Sequence, residues 1–379
     1  MRELPARLPV APVSRVHLDE LTTEIGVIQH AIGSLPDATH GYCVDDVARA
    51  IQVDLLHARE LGWGAVTDSL LRGMQFLQAS TEGRGAELRN FRRADGSWIA
   101  ASGSEDSQAR ALLAVGETVA LGPPGFILER ALELWTRLLP MAGRPMALRA
   151  QAGVILACAA VLDSRVDDLA TVTIRELATA LDSRMRDVQP GWPWPEPVLT
   201  YENALLPRAL IVAGALLDRG PMVATGLAAL DWLVATQTAS AGHLSPIGNG
   251  WWPMSGSRSQ FDQQPIEACA LLLAAEAALR ATGDAKHRQT METAYDWFLG
   301  RNDTCRRLAD PARGACCDGL TERGVNTNEG AESTLMWLMA AEHIRALRGL
   351  SAAGPMPAGS MGAAFDTATV AQTYAPSLS

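Results

Sequence analysis

Two pairs of adjacent acids, Asp45-Asp46 and Glu105-Asp106, and a further acid at Glu202 each close a polar stretch and open a run of helical periodicity. Cleaving a glycosidic bond calls for such groups: one carboxylic acid protonates the leaving oxygen, and a second carboxylate serves as base or nucleophile. Neighbouring carboxylates raise one another's pKa, so a cluster keeps one of its members protonated near neutral pH. Adjacent residues on a helix differ by roughly 100° in direction, so only one acid of each pair is expected to point fully inward. Asp46, Asp106 and Glu202 are the first candidates for acid and base, with Asp45 and Glu105 behind them. Arg49 and Arg110 follow Asp46 and Asp106 by three or four residues, which places each arginine on the same helix face as its acid.

Any one of these acids could simply complement a helix dipole, worth about 0.3–1 kcal/mol in a first turn. Asp167-Asp168 is expected to do only that. The others keep richer company. His40 and Tyr42 precede the first pair, Trp98 precedes the second, and Trp192, Trp194, Tyr201 and Asn203 surround Glu202. Trp251 and Trp252 precede Asp262, Gln263, Gln264 and Glu267, while Asn326, Asn328 and Glu332 form the last cluster. Five of the ten tryptophans therefore fall in the long connecting loops, where a core tryptophan is least expected. Ring faces together with fixed donors and acceptors suit a sugar, which has apolar C–H faces and many hydroxyls. Tyr42, Trp98, Trp192, Trp194, Tyr201, Trp251 and Trp252 are read as sugar platforms. His40, Arg49, Arg110, Asn203, Gln263, Gln264 and Asn328 are read as binding hydroxyls, with Asp262, Glu267, Asn326 and Glu332 as further binding groups.

Twelve helices are needed to position these residues. Apolar positions recur at helical spacing over 45–62, 65–79, 105–121, 126–140, 146–162, 166–186, 201–218, 222–236, 264–281, 285–299 and 329–348, and a twelfth helix is predicted over 18–32. Tight Gly/Pro turns precede the helices at 65, 126, 222 and 285. Long joints precede those at 105, 201, 264 and 329, and loops of that length are usually functional. The joint at 141–145 is the exception, short where the alternation asks for a long one. This alternation predicts an all-α, (α/α)6 barrel over residues 1–350, with the long loops at one mouth. The inner helices begin near Asp45, Glu105, Met146, Tyr201, Gln264 and Glu329. Short β pieces are expected near 88–100, and 351–379, rich in Gly, Ala, Ser and Pro, reads as a loosely attached tail.

Composition removes several classes. The formal charge of −10, with no Lys/Arg-rich run, argues against nucleic acid or an anionic membrane as partner, and a neutral oligosaccharide fits better. No secretory signal is expected from Met1 to Val16, which lacks a continuous apolar segment, no apolar run reaches membrane length, and the six cysteines lack metal-ribbon spacing, so a cytoplasmic location with reduced thiols is expected. A zinc site built on Cys316, Cys317, Asp318 and His343 is disfavoured because adjacent cysteines fit poorly on one tetrahedral ion. Neither a P-loop nor a dinucleotide fingerprint occurs, so no cofactor is called for.

The blocks His40-Gly41-Tyr42-Cys43-Val44-Asp45-Asp46, Gly103-Ser104-Glu105-Asp106-Ser107, Leu199-Thr200-Tyr201-Glu202-Asn203-Ala204, Phe261-Asp262-Gln263-Gln264-Pro265-Ile266-Glu267 and Gly330-Ala331-Glu332-Ser333-Thr334 together resemble a family of bacterial glycosidase-like (α/α)6 barrels. Its members often lie beside mannoside phosphorylases and sugar transferases. The resemblance covers about residues 15–350 and implies a carbohydrate-active enzyme, above all a glycoside hydrolase on a mannose- or glucose-containing oligosaccharide. The family has Asn where this chain has Val47 and Gln where it has Glu329, which leaves Glu332 as the better acid of the last block. The Asp45-Asp46 pair is similar to the catalytic pair of α-1,6-mannanases on this barrel. Phosphorolysis, transglycosylation and glycan binding without chemistry share these parts. A terpenoid cyclase or prenyltransferase toroid is a remote alternative, because only 5% of the residues are aromatic and an isoprenoid cation needs an aromatic lining.

Overall fold

The computed structural model describes residues 9–83, 87–99, 103–140 and 147–349. A short helix α1 (Val16–Leu21) leads into a hairpin of β1 (Ile28–Ile32) and β2 (Leu35–Cys43). Next come α2 (Val44–Leu61), α3 (Thr67–Thr81), a short strand β3 (Phe91–Arg92), α4 (Glu105–Leu121), α5 (Phe126–Leu138), α6 (Leu148–Ser164) and α7 (Asp168–Arg186). The chain continues through β4 (Val198–Leu199), α8 (Leu205–Leu216), α9 (Gly220–Thr236), β5 (Trp252–Pro253), α10 (Pro265–Thr282) and α11 (Ala285–Phe298). The strands β6 (Ala309–Asp310), β7 (Ala315–Cys316), β8 (Gly319–Thr321) and β9 (Gly324–Asn326) precede α12 (Ala331–Leu347).

Contacts between helices define a closed toroid. Each of α2, α4, α6, α8, α10 and α12 packs on the next, and α12 returns to α2, while α3, α5, α7, α9, α11 and α1 each lie outside one of them. The inner helices α6, α8 and α10 are apolar nearly all round, as a helix buried on every side must be. In α6, every residue from Ala152 to Val161 is buried. Small residues bring these helices close: a Cβ on Gly116 of α4 would stand 2.8 Å from the Ala157 carbonyl oxygen of α6. Outer helices bury one stripe only. In α5 that stripe is Ile127, Ala131, Leu134, Trp135 and Leu138, each fully buried side chain contributing about 1.5–3 kcal/mol. Asp167 caps α7 by accepting from Ala170 N–H at 2.8 Å and also takes the Trp135 indole N–H at 2.8 Å, the structural role expected of it.

Every strand lies in a segment that precedes an inner helix, so the strands gather at one end of the toroid. No helix among the described residues is long and apolar enough to cross a membrane.

The helix predicted over 18–32 is corrected: α1 ends at Leu21. Thr22 Oγ1 donates to the Leu18 carbonyl at 2.6 Å, and Ile28–Ile32 pairs antiparallel with β2 through a turn in which Gly33 takes a left-handed φ of 59°. Of Leu21, Ile25 and Ile28, whose spacing suggested a helix face, Leu21 ends α1 and the buried Ile28 is a core contact of extended chain. The helix predicted from 201 starts at Leu205, because Tyr201–Ala204 forms a turn. Met146, the joint at 141–145 and the tail at 351–379 lie outside the described residues.

Candidate active site

The strand-bearing loops enclose a cavity of about 640 Å3 over the N-termini of the inner helices. A smaller space of about 40 Å3 lies deeper between those helices, and Arg49, Asp106 and Arg110 border both. Convergent helix N-termini favour negative charge, so acids in first turns are stabilised here.

Asp46 stands in the first turn of α2 and is only 5% exposed. Cys43 caps that helix: its Sγ accepts from Asp46 N–H at 3.4 Å, and its thiol donates to Asp46 Oδ2 at 3.1 Å. Arg49 spans two acids, with Nη1 3.1 Å from Asp46 Oδ1 and Nη2 2.9 Å from Glu332 Oε2. Burial pushes the Asp46 carboxyl up to about 6, against the pull of Arg49, and the charges of Glu332 and Asp45 add to the rise. A second arginine repeats the arrangement. Arg110 Nε lies 3.1 Å from Asp45 Oδ1 and its Nη2 lies 2.6 Å from Glu202 Oε2, while Asn90 donates to Asp45 Oδ2 at 2.9 Å. Burial works against ionised Glu202, but Arg110 and Arg49 outweigh it and hold that carboxyl below its usual range.

Asp106 accepts the Tyr201 hydroxyl on Oδ2. The Glu202 backbone is left-handed, at φ 46°, and its N–H donates to the buried Glu267, whose other oxygen takes Asn203 Nδ2 at 3.4 Å. Burial pushes Glu267 up to about 7. Trp251 and Asp262 at the same mouth are also left-handed, at φ 62° and 59°. Strained non-glycine residues of this kind persist where the surroundings hold them, and they cluster at functional sites. Here Trp251 N–H donates to the Gly248 carbonyl and its own carbonyl takes Ser259 N–H, both at 2.9 Å.

The rim is a closed circuit of hydrogen bonds. From α2 it passes through β2 paired to β3, then to α4 by Gly103 N–H on the Leu88 carbonyl at 2.7 Å. Glu105 accepts Ala147 N–H, and Arg149 Nε donates to the Tyr201 carbonyl, which carries the wall past α6 to α8. β4 pairs with β5, Asn249 N–H reaches the Asp262 carbonyl, and Gln263 and Leu320 exchange two backbone bonds at 3.0 and 2.8 Å. Glu329 N–H on the Gly33 carbonyl, at 2.9 Å, closes the circuit at the β1–β2 hairpin.

No protein-family model matches the sequence, and no curated protein matches it. Solved structures do match. The chain is similar to cellobiose 2-epimerase from Bacillus thermoamylovorans, with 12% identity and a TM-score of 0.68 over 86% of this chain and 95% of that one. It is similar to a sugar epimerase from a ruminal bacterium, with 10% identity and a TM-score of 0.66 over 87% and 95% of the two chains. A GH76 α-mannanase from Bacteroides thetaiotaomicron matches with 10% identity and a TM-score of 0.58 over 88% and 94%. The chain folds as an (α/α)6 barrel. Identities this low speak for the fold alone.

Within this barrel, Asp45, Asp46, Arg49, Asp106, Arg110, Tyr201, Trp251, Asp262, Gln264, Asn326 and Glu332 border the mouth cavity, and Glu202 borders the space beneath it. Both acids of the first pair reach the cavity, contrary to the one-inward expectation; of the second pair only Asp106 does. Arg110 pairs with Asp45 and Glu202, not with the Asp106 of its own helix.

Other expected site residues lie elsewhere. Glu105 is a rim tie. Tyr42 is buried, its hydroxyl 2.9 Å from Thr23 Oγ1, and Trp98 packs on Phe76 at 5.0 Å under the guanidinium groups of Arg89 and Arg92. Trp192 and Trp194 are buried, and with Trp232 and Trp252 they form a ring cluster behind the rim. Asn203 is fully buried and accepts from Arg149 at 3.0 Å; Gln263 is fully buried and accepts the Trp297 indole N–H at 3.0 Å. Glu267 supports Glu202 from below, and Asn328 Oδ1 ties to Gly33 N–H at 3.0 Å. His40 packs edge-on to His30 at 4.6 Å, and it is His30 that borders the cavity.

Gln29, His30, Phe91, Asn249 and Asp318 border the cavity without having been singled out as sugar-binding. Gln29 and His30 lie in the hairpin that stands where helical period predicts a helix over 18–32, and a helix there gives them no place at the mouth. Asp318, considered only as a zinc ligand, accepts Gly330 N–H at 2.9 Å at the start of α12. Cys316 N–H meets Thr334 in that helix's first turn, whereas His343 pairs with Glu276 at 2.8 Å about two and a half turns on, so the supposed zinc ligands do not meet.

Proposed function

We propose that this chain is a carbohydrate-active enzyme that hydrolyses glycosidic bonds in mannose- or glucose-containing oligosaccharides. One observation carries the reading. A carboxyl held up to about 6, Asp46, borders the mouth cavity above Glu202, which Arg110 and Arg49 hold below its usual range, and divergent carboxyls of this sort divide acid from base roles. Asp46 gives its proton to the leaving glycosidic oxygen. Asp106, oriented by the Tyr201 hydroxyl, takes a proton from water as that water adds to the anomeric carbon, or adds there itself before water releases the sugar. Asp45 and Glu202 hold Arg110, and Glu332 holds Arg49, which keeps the charge of the site fixed around the substrate. The names of the structural neighbours, sugar epimerases and an α-mannanase, support a sugar ligand. Cys43, Cys158, Cys269, Cys316 and Cys317 are free thiols, which supports a reducing, cytoplasmic setting.

A screen of manno- and gluco-oligosaccharides with and without phosphate tests this, followed by Asp46→Asn, Asp106→Asn and Glu202→Gln on the best substrate. Full turnover in all three variants would overturn the roles, and a strict need for phosphate would replace hydrolysis by phosphorolysis. Sugar binding without turnover would leave a glycan-binding protein. A second reading, epimerisation at a reducing sugar, is favoured by the two epimerase likenesses and by His30 in the cavity. In D2O it would place deuterium at sugar C2 without generating new reducing ends.

A further inference from the structure

The wall of a sugar site decides which part of a chain it takes. A groove open at both ends accepts a chain lengthwise, whereas a pocket walled on every side accepts only an end. Among the described residues the hydrogen-bonded rim runs from the β1–β2 hairpin round to the Glu329–Gly33 contact, and it passes the N-terminus of every inner helix. Its floor is closed as well, since the ion pairs of Arg49 and Arg110 separate the mouth from a space of only about 40 Å3 below. A cavity of about 640 Å3 lies inside the usual range for a bound small ligand, roughly 300–1,000 Å3, and has room for a di- or trisaccharide. Tyr201 and Trp251, 38% and 44% exposed, stand at the opening, where a ring can stack on the sugar that leads out to solvent.

We infer that this barrel works on the ends of short oligosaccharides and does not cut internal bonds of a polysaccharide. The inference rests on the proposed function and adds the mode of action. The test uses the unaltered protein with manno- and cello-oligosaccharides from di- to hexasaccharide, each with free and with capped ends. Binding is followed by intrinsic tryptophan fluorescence and products are followed by chromatography. Affinity is expected to rise up to the trisaccharide and to gain less than about twofold beyond it, as a filled pocket requires. A hexasaccharide is expected to shorten by one end unit at a time, and capping the attacked end should cut turnover by at least about 100-fold. Internal fragments at the earliest times, or affinity that keeps growing to the hexasaccharide, would overturn the chain-end assignment and leave hydrolysis standing. Binding without turnover would overturn the hydrolase, while the length dependence of affinity would still judge the pocket. No binding by either series would overturn both.

Discussion

The same inner helices carry acids where they begin and bases where they end. At the mouth, Asp45, Asp46, Asp106, Glu267 and Glu332 occupy first turns; at the far end, Arg59, Arg280 and Arg345 occupy last turns. Both arrangements complement the helix dipole, so polarity by itself does not mark the functional end. What differs is how completely charge is matched. At the far end, in a cavity of about 70 Å3, Glu276 accepts from Arg280 and from His343, each at 2.8 Å, and these partners hold it far below the usual carboxylate range despite burial. At the mouth, Asp46 keeps a raised affinity for its proton even with Arg49 beside it, while Glu202 is driven the other way. Glu342, 3.3 Å from Arg345 at that same far end, is pushed up to about 7 by burial, so a raised carboxyl marks a site only where it also borders a cavity, as Asp46 does. This mouth leaves one carboxyl poised to give up a proton.

Substituting one acid at each end is the strongest way to break that contrast. Asp46→Asn keeps the shape but cannot donate the proton, and turnover is expected to fall by about 10²–10⁴-fold with the thermal transition preserved. Glu276→Gln should leave turnover within about threefold and lower stability by up to about 3 kcal/mol, the partial exposure of the pair softening the loss of a buried partner. Kinetics and thermal melts of the two variants side by side would decide it. Equal loss of turnover in both would make the two ends functionally alike.

The tryptophans divide in a similar way. Trp194, 2% exposed, stacks on Trp232 behind the rim, whereas Trp251 stands in the opening. Trp194→Ala should cost about 3–5 kcal/mol of stability through the cavity it leaves. Trp251→Ala should leave stability nearly unchanged and weaken oligosaccharide binding roughly tenfold, the scale of one ring contact of about 0.5–1.5 kcal/mol. Urea melts and fluorescence titrations separate the two effects. A Trp251 variant that melts early and binds normally would make that ring structural.

These divisions also mark what could be read from the sequence. Helical period and loop length carry topology, because a buried inner helix such as α6 or α10 must be apolar all round and a long connection has to lie at one end. Asp46, Asp106 and Glu202 could therefore be expected at a common mouth from their places near helix starts; Asp46 and Asp106 border the mouth cavity, and Glu202 borders the space beneath it. Side-chain direction in irregular chain has no such period. Trp192 and Trp251 look alike as loop tryptophans, and only the β4–β5 pairing behind the rim and the left-handed turn at Trp251 send one inward and the other to the opening. Ile25 and Ile28, three apart, fit a helix face and a hairpin entry equally well, and the pairing with β2 that settles it is non-local. Glu267 was readable as an acid at a helix start, but its role beneath Glu202 follows from a left-handed turn.

The finest test of the contrast is a pH profile. If Asp46 acts as the acid, activity should fall as pH rises through about 6, where its proton is lost. The sign on stability is the same: a carboxyl with a raised folded-state pKa contributes fully below the unfolded value near 4 and loses that contribution as pH climbs through about 6. Glu332 raises Asp46 by its charge and also shares Arg49 with it, so Glu332→Gln removes a repulsion and leaves Arg49 to Asp46 alone. Both changes favour the ionised form of Asp46, and the alkaline limb should move to lower pH. The shift is expected to be small, because Glu332 is 42% exposed and water screens its charge. An alkaline limb that stayed in place, with the Arg49 contact to Asp46 retained, would assign that limb to a group other than Asp46 and leave the mouth as evenly matched in charge as the far end.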